Sequence, residues 1–336
     1  MPGVTRVMVP DGSDWDGVLR FSAGLTRLPV TGSFVFDFAN VRFTGPGWMI
    51  VVGNALNGFR DMRPGLKRRV ENHKGVAMRY AAAAGFFRYF GVDWGHEPGA
   101  LDSTDAFVPL TTQPVDDLRM RAAEGMMHHG DVIQADAERL VTVLTRLDDG
   151  DVFETLAYSI REIVRNVVEH SEADSYAFAA QWWPTIGRAE LVVSDAGMGL
   201  ARSLRRNPGI EVEDDEAALL MATRPGVTSR GRSGRAGDVW RNTGYGLYMT
   251  KGICDAAGSF TLISGGSAMV GDRQGDRMVD CSAVGTTVVM TLDTGALGDL
   301  SDRLAELRDR AGKPSGAPSV ASLSKRVTPG KKVSNG

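Results

Sequence analysis

Two hydrophobic periods alternate along this chain, and the points where one gives way to the other mark its elements. Residues 33–38, Ser-Phe-Val-Phe-Asp-Phe, are rich in aromatic and β-branched side chains and read as a buried strand. Gly45-Pro46-Gly47 ends that pattern, and residues 48–59 then read as a helix. Residues 76–90 have helical composition interrupted at Gly85. This alternation predicts a small α/β domain over residues 1–105. Residues 116–148 carry Leu118, Met120, Val132, Ile133, Ala137, Leu140, Val143 and Leu144, which fits one or two connecting helices broken near Gly130. The segment 106–150 is therefore read as a connector.

A second domain, residues 151–295, opens with a helix over 152–170 in which Leu156, Ile160, Ile163 and Val167 recur at helical spacing. Residues 188–194 read as a strand, 245–257 as a helix, and 260–264 and 286–292 as two further strands. Residues 297–307 form a short amphipathic helix inside a terminal segment, 296–311. From Gly312 onward the chain turns to Gly, Pro, Ser and Lys without a buriable face, so 312–336 reads as a disordered tail. No internal repeat is visible.

Composition narrows the class. With 336 residues, 43% hydrophobic and 24% charged, the chain has material for two globular domains. A net charge of −3 argues against a general nucleic-acid binder. Two cysteines, Cys254 and Cys281, are too few for a disulfide framework and suit a reducing compartment. Asp11, Asp14 and Asp16 stand where a secretory leader would be basic and then apolar, and the most apolar run, 48–52, is too short to cross a bilayer. The expectation is a cytoplasmic protein with neither a membrane nor a nucleic-acid partner.

The familiar nucleotide and metal signatures are missing. No G-x-x-x-x-G-K-[ST] occurs, Gly312-Lys313 runs into Pro314, and no complete G-x-G-x-x-G follows a strand. There is no H-E-x-x-H and no paired C-x-x-C. Four separated fragments stand in their place. Glu162, Asn166 and His170 are four apart and share one helix face, as a solvated stripe also would. Asp195-Ala196-Gly197-Met198-Gly199 follows an apolar strand; a carboxylate at a strand end can accept from an exocyclic amine, and the glycines allow close approach to a flat ring. Gly244-Tyr245-Gly246-Leu247 leads into a helix, whose first N–H groups and dipole favour phosphate. Gly285-Thr286-Thr287 opens the last strand. Taken singly, each is an ordinary turn or helix start.

In this order, E-x-x-x-N on a helix, D-x-G-x-G after a strand, G-x-G-L into a helix and G-T into a strand resemble the GHKL ATPases (Bergerat fold), the group that includes histidine kinases and anti-sigma-factor kinases. The resemblance implies an α+β protein, with a C-terminal α/β sandwich that has its helices on one face of a mixed sheet. It implies Mg²⁺ and ATP as cofactors. Asn166 would coordinate Mg²⁺ and Glu162 would be the catalytic general base. Asp195 would accept from the adenine amine, Gly197 and Gly199 would lie against base and ribose, Gly244, Tyr245, Gly246 and Leu247 would carry the phosphates, and Thr286 would back the adenine pocket. The stretch between Leu200 and Asn242, with Arg230, Arg232, Arg235 and Arg241, takes the place of the family's mobile lid. The E-x-x-x-N-x-x-x-H form ending at His170 is most similar to the anti-sigma-factor serine kinases.

Residues 34–48 resemble the strand-turn-helix core of STAS domains, and 76–91 a segment of STAS-like modules joined to such ATPases. That family's phosphorylatable serine would fall near Gly45-Pro46-Gly47, where this chain has none; Thr44 is the nearest hydroxyl, so a scaffold or docking role is expected. The functional expectation is ATP hydrolysis, or γ-phosphate transfer to a serine or threonine of a protein partner, with homodimerisation left open. The alternatives are an ATP-gated interaction switch and, less favoured, a histidine kinase using His128 or His129.

Overall fold

The computed structural model describes residues 3–125, 129–228 and 244–311. Three parallel strands open the chain: β1 (Val4–Met8), β2 (Ser33–Asp37) and β3 (Lys67–Glu71), hydrogen-bonded in the order β1-β2-β3. Their crossovers are α1 (Trp15–Thr26) and α2 (Pro46–Met62), followed by α3 (Val76–Ala83) and α4 (Phe86–Tyr89). Asp14 starts α1 by accepting the Gly17 N–H at 2.9 Å, and Val18, Leu19, Ser22 and Leu25 then fall on one buried face. Proline stands at the start of α2, where its missing N–H would have had no intrahelical partner. Gly85 separates α3 from α4 in the left-handed region, at φ 100°.

The rest of the chain builds β4 (Phe107–Pro114), α5 (Val115–Glu124), α6 (His129–Thr145), α7 (Gly150–His170), β5 (Ser175–Trp183), β6 (Arg188–Asp195), α8 (Leu200–Leu204), α9 (Asp215–Ala222), α10 (Gly246–Ala257), β7 (Gly258–Asp272), β8 (Gly275–Asp293) and α11 (Leu300–Arg310). Its five strands run in the order β4-β5-β6-β8-β7. Every neighbouring pair is antiparallel, so the expectation of a mixed sheet is corrected. The connection from β6 to its neighbour β8 passes through α8, α9, α10 and β7, and β7 and β8 are the two arms of one long hairpin.

The stretch 106–150 opens with a strand, β4, that extends the sheet; the two helices expected there follow it. The break between them falls at Gly125, which caps α5, and Gly130 lies in the first turn of α6. Short connections hold α5 and α6 in the same core as α7.

Both faces of the five-stranded sheet are covered, one by the helices that follow β4 and the other by the helices of the N-terminal layer. Along β6, Ala189, Leu191 and Val193 join the core made with α6, α7, α10 and α11, while Val192 faces the core made with α1, α2 and α4. Phe34 and Phe36 on β2 meet Phe59 of α2 edge-on, at 5.0 and 5.3 Å between ring centroids. α2 therefore lies between the two sheets. Trp15 Nε1 donates to Thr261 Oγ1 of β7 at 3.0 Å, and Glu190 of β6 accepts the Gly47 N–H at the start of α2 at 2.7 Å. No helix among the described residues is long and apolar enough to cross a membrane. The C-terminal stretch 312–336, expected to be disordered, lies outside the described residues.

Candidate functional site

The sequence fragments converge because of two packing events on one face of the sheet. First, α7 lays its apolar stripe on β6, and this turns Glu162 and Asn166 toward the carboxyl end of that strand. Second, β6 and β8 pair in register, so that Asp195 stands directly opposite Thr286. Between them opens a cleft of about 860 Å³, counting space continuous with solvent. Glu162, Asn166, Asp195, Gly199, Gly244, Gly246, Leu247 and Thr286 all line it.

α10 enters this arrangement through close contact with α7. A Cβ added to Gly246 would lie 2.6 Å from the Glu162 Cβ, so only glycine lets the two helices meet here. The N-terminus of α10 is thereby brought to the cleft, and no side chain caps it among the described residues. Asp195 is 6% exposed, and its Oδ1 accepts the Gly197 N–H at 2.7 Å. Burial raises its pKa from 3.8 to about 6, although the N–H groups of Gly197 and Thr286 pull the other way. Glu162 is 1% exposed, and its carboxylate lies 3.8 Å from both the Arg161 and the Arg165 guanidinium groups.

Two expected residues do not reach the cleft wall. Gly197 turns toward the end of α7, where an added Cβ would overlap the Ser171 carbonyl; its place in the sequence serves tight packing of that turn. Tyr245 packs against the helical core, with its hydroxyl beside Gly226. His170 ends α7; its side chain, like residues 229–243 with their arginines, lies outside what the structure describes. The described residues on either side of that stretch meet beside the cleft, where the Gly226 N–H donates to the Gly244 carbonyl at 3.0 Å. Asn207 Nδ2 donates to the Thr228 carbonyl at 3.0 Å.

Sequence reasoning missed several lining residues. Leu200, Ser203 and Leu204 come from α8, and Val227 and Thr228 directly precede residues 229–243. The spacing of Leu200, Ser203 and Leu204 was a readable signal for a short amphipathic turn. Arg165, one turn from Glu162, was equally readable as E-x-x-R. Ser264, which fixes the site from β7, gave no local sign: its Oγ accepts the Leu200 N–H and donates to the Gly285 carbonyl, each at 2.9 Å.

Thr44 is buried and donates to the Ala77 carbonyl at 3.4 Å, so the one hydroxyl near the expected phosphorylation position is closed to a kinase. Both cysteines are unpaired and buried. Among the described residues no cluster of three or more His, Cys, Asp or Glu stands ready to hold a metal ion. Comparison with protein-family models returns no match. Comparison with curated proteins returns none either.

Proposed function

We propose that the cleft binds an adenine nucleotide with Mg²⁺, and that the chain is a regulatory ATPase or protein serine/threonine kinase of the GHKL (Bergerat-fold) kind. The observation that carries this reading is the convergence of Glu162, Asn166, Asp195, Gly246 and Thr286, from two helices and two strands far apart in sequence, on one cleft. The residues present fit the ligand. Asp195 offers a buried acceptor to an exocyclic amine, and a donor there would offset the desolvation that raises its pKa. The start of α10 offers N–H groups and a positive dipole end to phosphate. Asn166 offers one amide oxygen, which suits Mg²⁺ because that ion keeps several waters and takes its other ligands from phosphate. Bound Mg²⁺ would supply charge neutralisation on the phosphates. Glu162 would orient or deprotonate the attacking water or hydroxyl, with Arg161 and Arg165 holding it in place.

The α1–α2 layer would then serve as scaffold or docking surface for a protein partner, in a cytoplasmic setting. The STAS-like reading of this layer rests on the resemblance of residues 34–48 and 76–91 to that family. A second reading, an ATP-gated switch with little turnover, is favoured by the same two guanidinium groups, because they hold the Glu162 carboxylate in ion pairs within the protein. The histidine-kinase reading has less behind it, because α5 and α6 pack into the core with α7 and form no separate hairpin.

Calorimetric titration of the full chain with ATP, ADP and GTP, with and without Mg²⁺, tests the pocket: adenine nucleotides should bind and GTP should not. Absence of any adenine-nucleotide binding would sink the assignment. Single-turnover hydrolysis of labelled ATP by the wild type and by Glu162→Ala then separates the two readings. Loss of about 10²–10⁴-fold in rate with binding retained supports the enzyme. A wild type that binds but does not hydrolyse supports the switch.

A further inference from the structure

The end of the sheet that borders the cleft is held from behind by a buried chain of polar side chains. Glu190, Val192 and Ser194 alternate along β6 and so share the face that α2 covers. Two of the three bond to α2: Glu190 accepts the Gly47 N–H at 2.7 Å, and Ser194 Oγ accepts from Asn54 Nδ2 at 2.9 Å. Gly47 and Asn54 are about two helical turns apart, so they lie on one face of α2 and tie the helix to the strand at two points. The Asn54 amide is itself held, because its Oδ1 accepts the Tyr89 hydroxyl at 2.5 Å. Burial pushes that hydroxyl up to about 12, so it keeps its proton at physiological pH and stays a donor.

The chain continues across the sheet. Ser194 Oγ shares a hydrogen bond with Thr287 Oγ1 at 2.6 Å, and the two residues stand opposite each other in the β6–β8 ladder. Both are buried, and hydroxyls buried in apolar strands are costly unless bonded; the donor for Ser194 Oγ comes from α2. The next rung, Asp195 opposite Thr286, is the last of that ladder on the cleft side. Asp195 and Thr286 both line the cleft, and the Thr286 N–H bonds to the Asp195 carboxylate. Beyond this rung β8 passes through Gly285 at φ 75°, and its pairing with β7 shifts register. A terminal rung has no further pair to hold it, so the side-chain bridge one residue back supplies the constraint.

We infer that Asn54 is a positioning residue for the Asp195–Thr286 end of the cleft: through Ser194 and Thr287 it sets how firmly the cleft holds the adenine amine, so the N-terminal layer tunes nucleotide affinity. The inference rests on the adenine-nucleotide reading of the cleft and deepens it. Asn54 touches no ligand in this scheme; it acts through two paired strands.

Calorimetric titration of the full chain with ATP and with purine riboside 5′-triphosphate, which differs from ATP only in lacking the exocyclic amine, isolates the contact to Asp195. The wild type should prefer ATP by about tenfold, the effect of one satisfied hydrogen bond. Asn54→Leu keeps the size of the side chain and removes its hydrogen bonds. It should lose most of that preference while binding purine riboside 5′-triphosphate as the wild type does, whereas general damage to the fold would weaken both nucleotides alike. Asn57→Leu removes a different α2 hydrogen bond, to the Tyr89 carbonyl, and should keep the preference. Amide hydrogen exchange of the nucleotide-free proteins gives a second readout: Asn54→Leu should speed exchange at Thr286 by about tenfold and leave Val192 and Val289, inside the ladder, unchanged. Tyr89→Phe frees only the far end of the chain and should show the same changes in smaller measure, so it serves if Asn54→Leu does not fold. The inference is overturned if Asn54→Leu keeps the full preference for ATP, if it weakens both nucleotides by the same factor, or if exchange at Thr286 is unaltered. A wild type that binds neither nucleotide, or both equally, sinks the adenine reading instead, and the exchange measurement then still decides whether Asn54 positions Asp195 and Thr286.

Discussion

Asp195→Asn removes a charge while keeping the shape of the side chain and an oxygen able to accept the Gly197 N–H. The wild-type carboxyl is 6% exposed, and its pKa stands at about 6 against 3.8 in the open chain, with burial the largest cause. A carboxyl with a raised pKa binds its proton more tightly folded than unfolded. Its contribution to stability is therefore fully present below pH 3.8 and is lost as pH rises through about 6. Moving the pKa that far corresponds to roughly 3 kcal/mol. The nucleotide-free variant should thus be more stable than the wild type by about that amount at pH 8 and by far less at pH 4. Glu190 and Asp255, whose pKa values are also raised by burial, are common to both proteins and cancel in the difference. Urea unfolding of both proteins between pH 4 and pH 8 gives the comparison directly. The same substitution should weaken adenine-nucleotide binding at least tenfold, because an amide in this turn no longer presents two acceptor oxygens. A difference in stability that does not change with pH, or a variant less stable than the wild type at pH 8, would refute the reasoning. That pairing of higher stability with lost binding is what a functional buried charge should produce.

Gly246→Ala should separate α10 from α7, since its Cβ would fall 2.6 Å from that of Glu162; a loss of about 1–3 kcal/mol in urea unfolding, with weaker nucleotide binding, is expected. Glu190→Ala leaves the Gly47 N–H and the Arg188 guanidinium without their acceptor and should cost about 1–3 kcal/mol, whereas Glu190→Gln keeps an acceptor and should be tolerated; equal melting temperatures for the two variants would contradict this. Trp15→Phe deletes the hydrogen bond to Thr261 that ties α1 to the sheet, and should lower stability by about 1 kcal/mol without altering nucleotide affinity measured by calorimetry.

How much was legible in the sequence depended on how local the signal was. The helix that became α7 was readable from its apolar spacing alone, and so were the strand that became β6 and the helix that became α10. β3 was not, because Lys67, Arg68 and Arg69 stand on an exposed edge strand and show no apolar alternation. β5 was hidden by its three alanines, which favour neither period. The length of β7 and β8 was hidden by Gly265, Gly266 and Gly271, which read as breaks but lie inside a bulged hairpin. Glu190 in the middle of an apolar strand was the one sign that β6 faces something besides helices. Its carboxylate turned out to anchor α2.

The sequence by itself determined the chemical inventory: a carboxylate after a strand, a carboxamide and a second carboxylate one helical turn apart, and glycines at a helix start. It determined their order and the periodicity that places them on helices and strands, because those properties depend on near neighbours in the chain. Only the tertiary structure decided that Asp195 faces Thr286, that Gly197 and Tyr245 turn away from the cleft, and that a second layer covers the sheet from behind. Strand register and helix packing are fixed by burial between segments far apart, and the same burial sets the pKa of the Asp195 carboxyl.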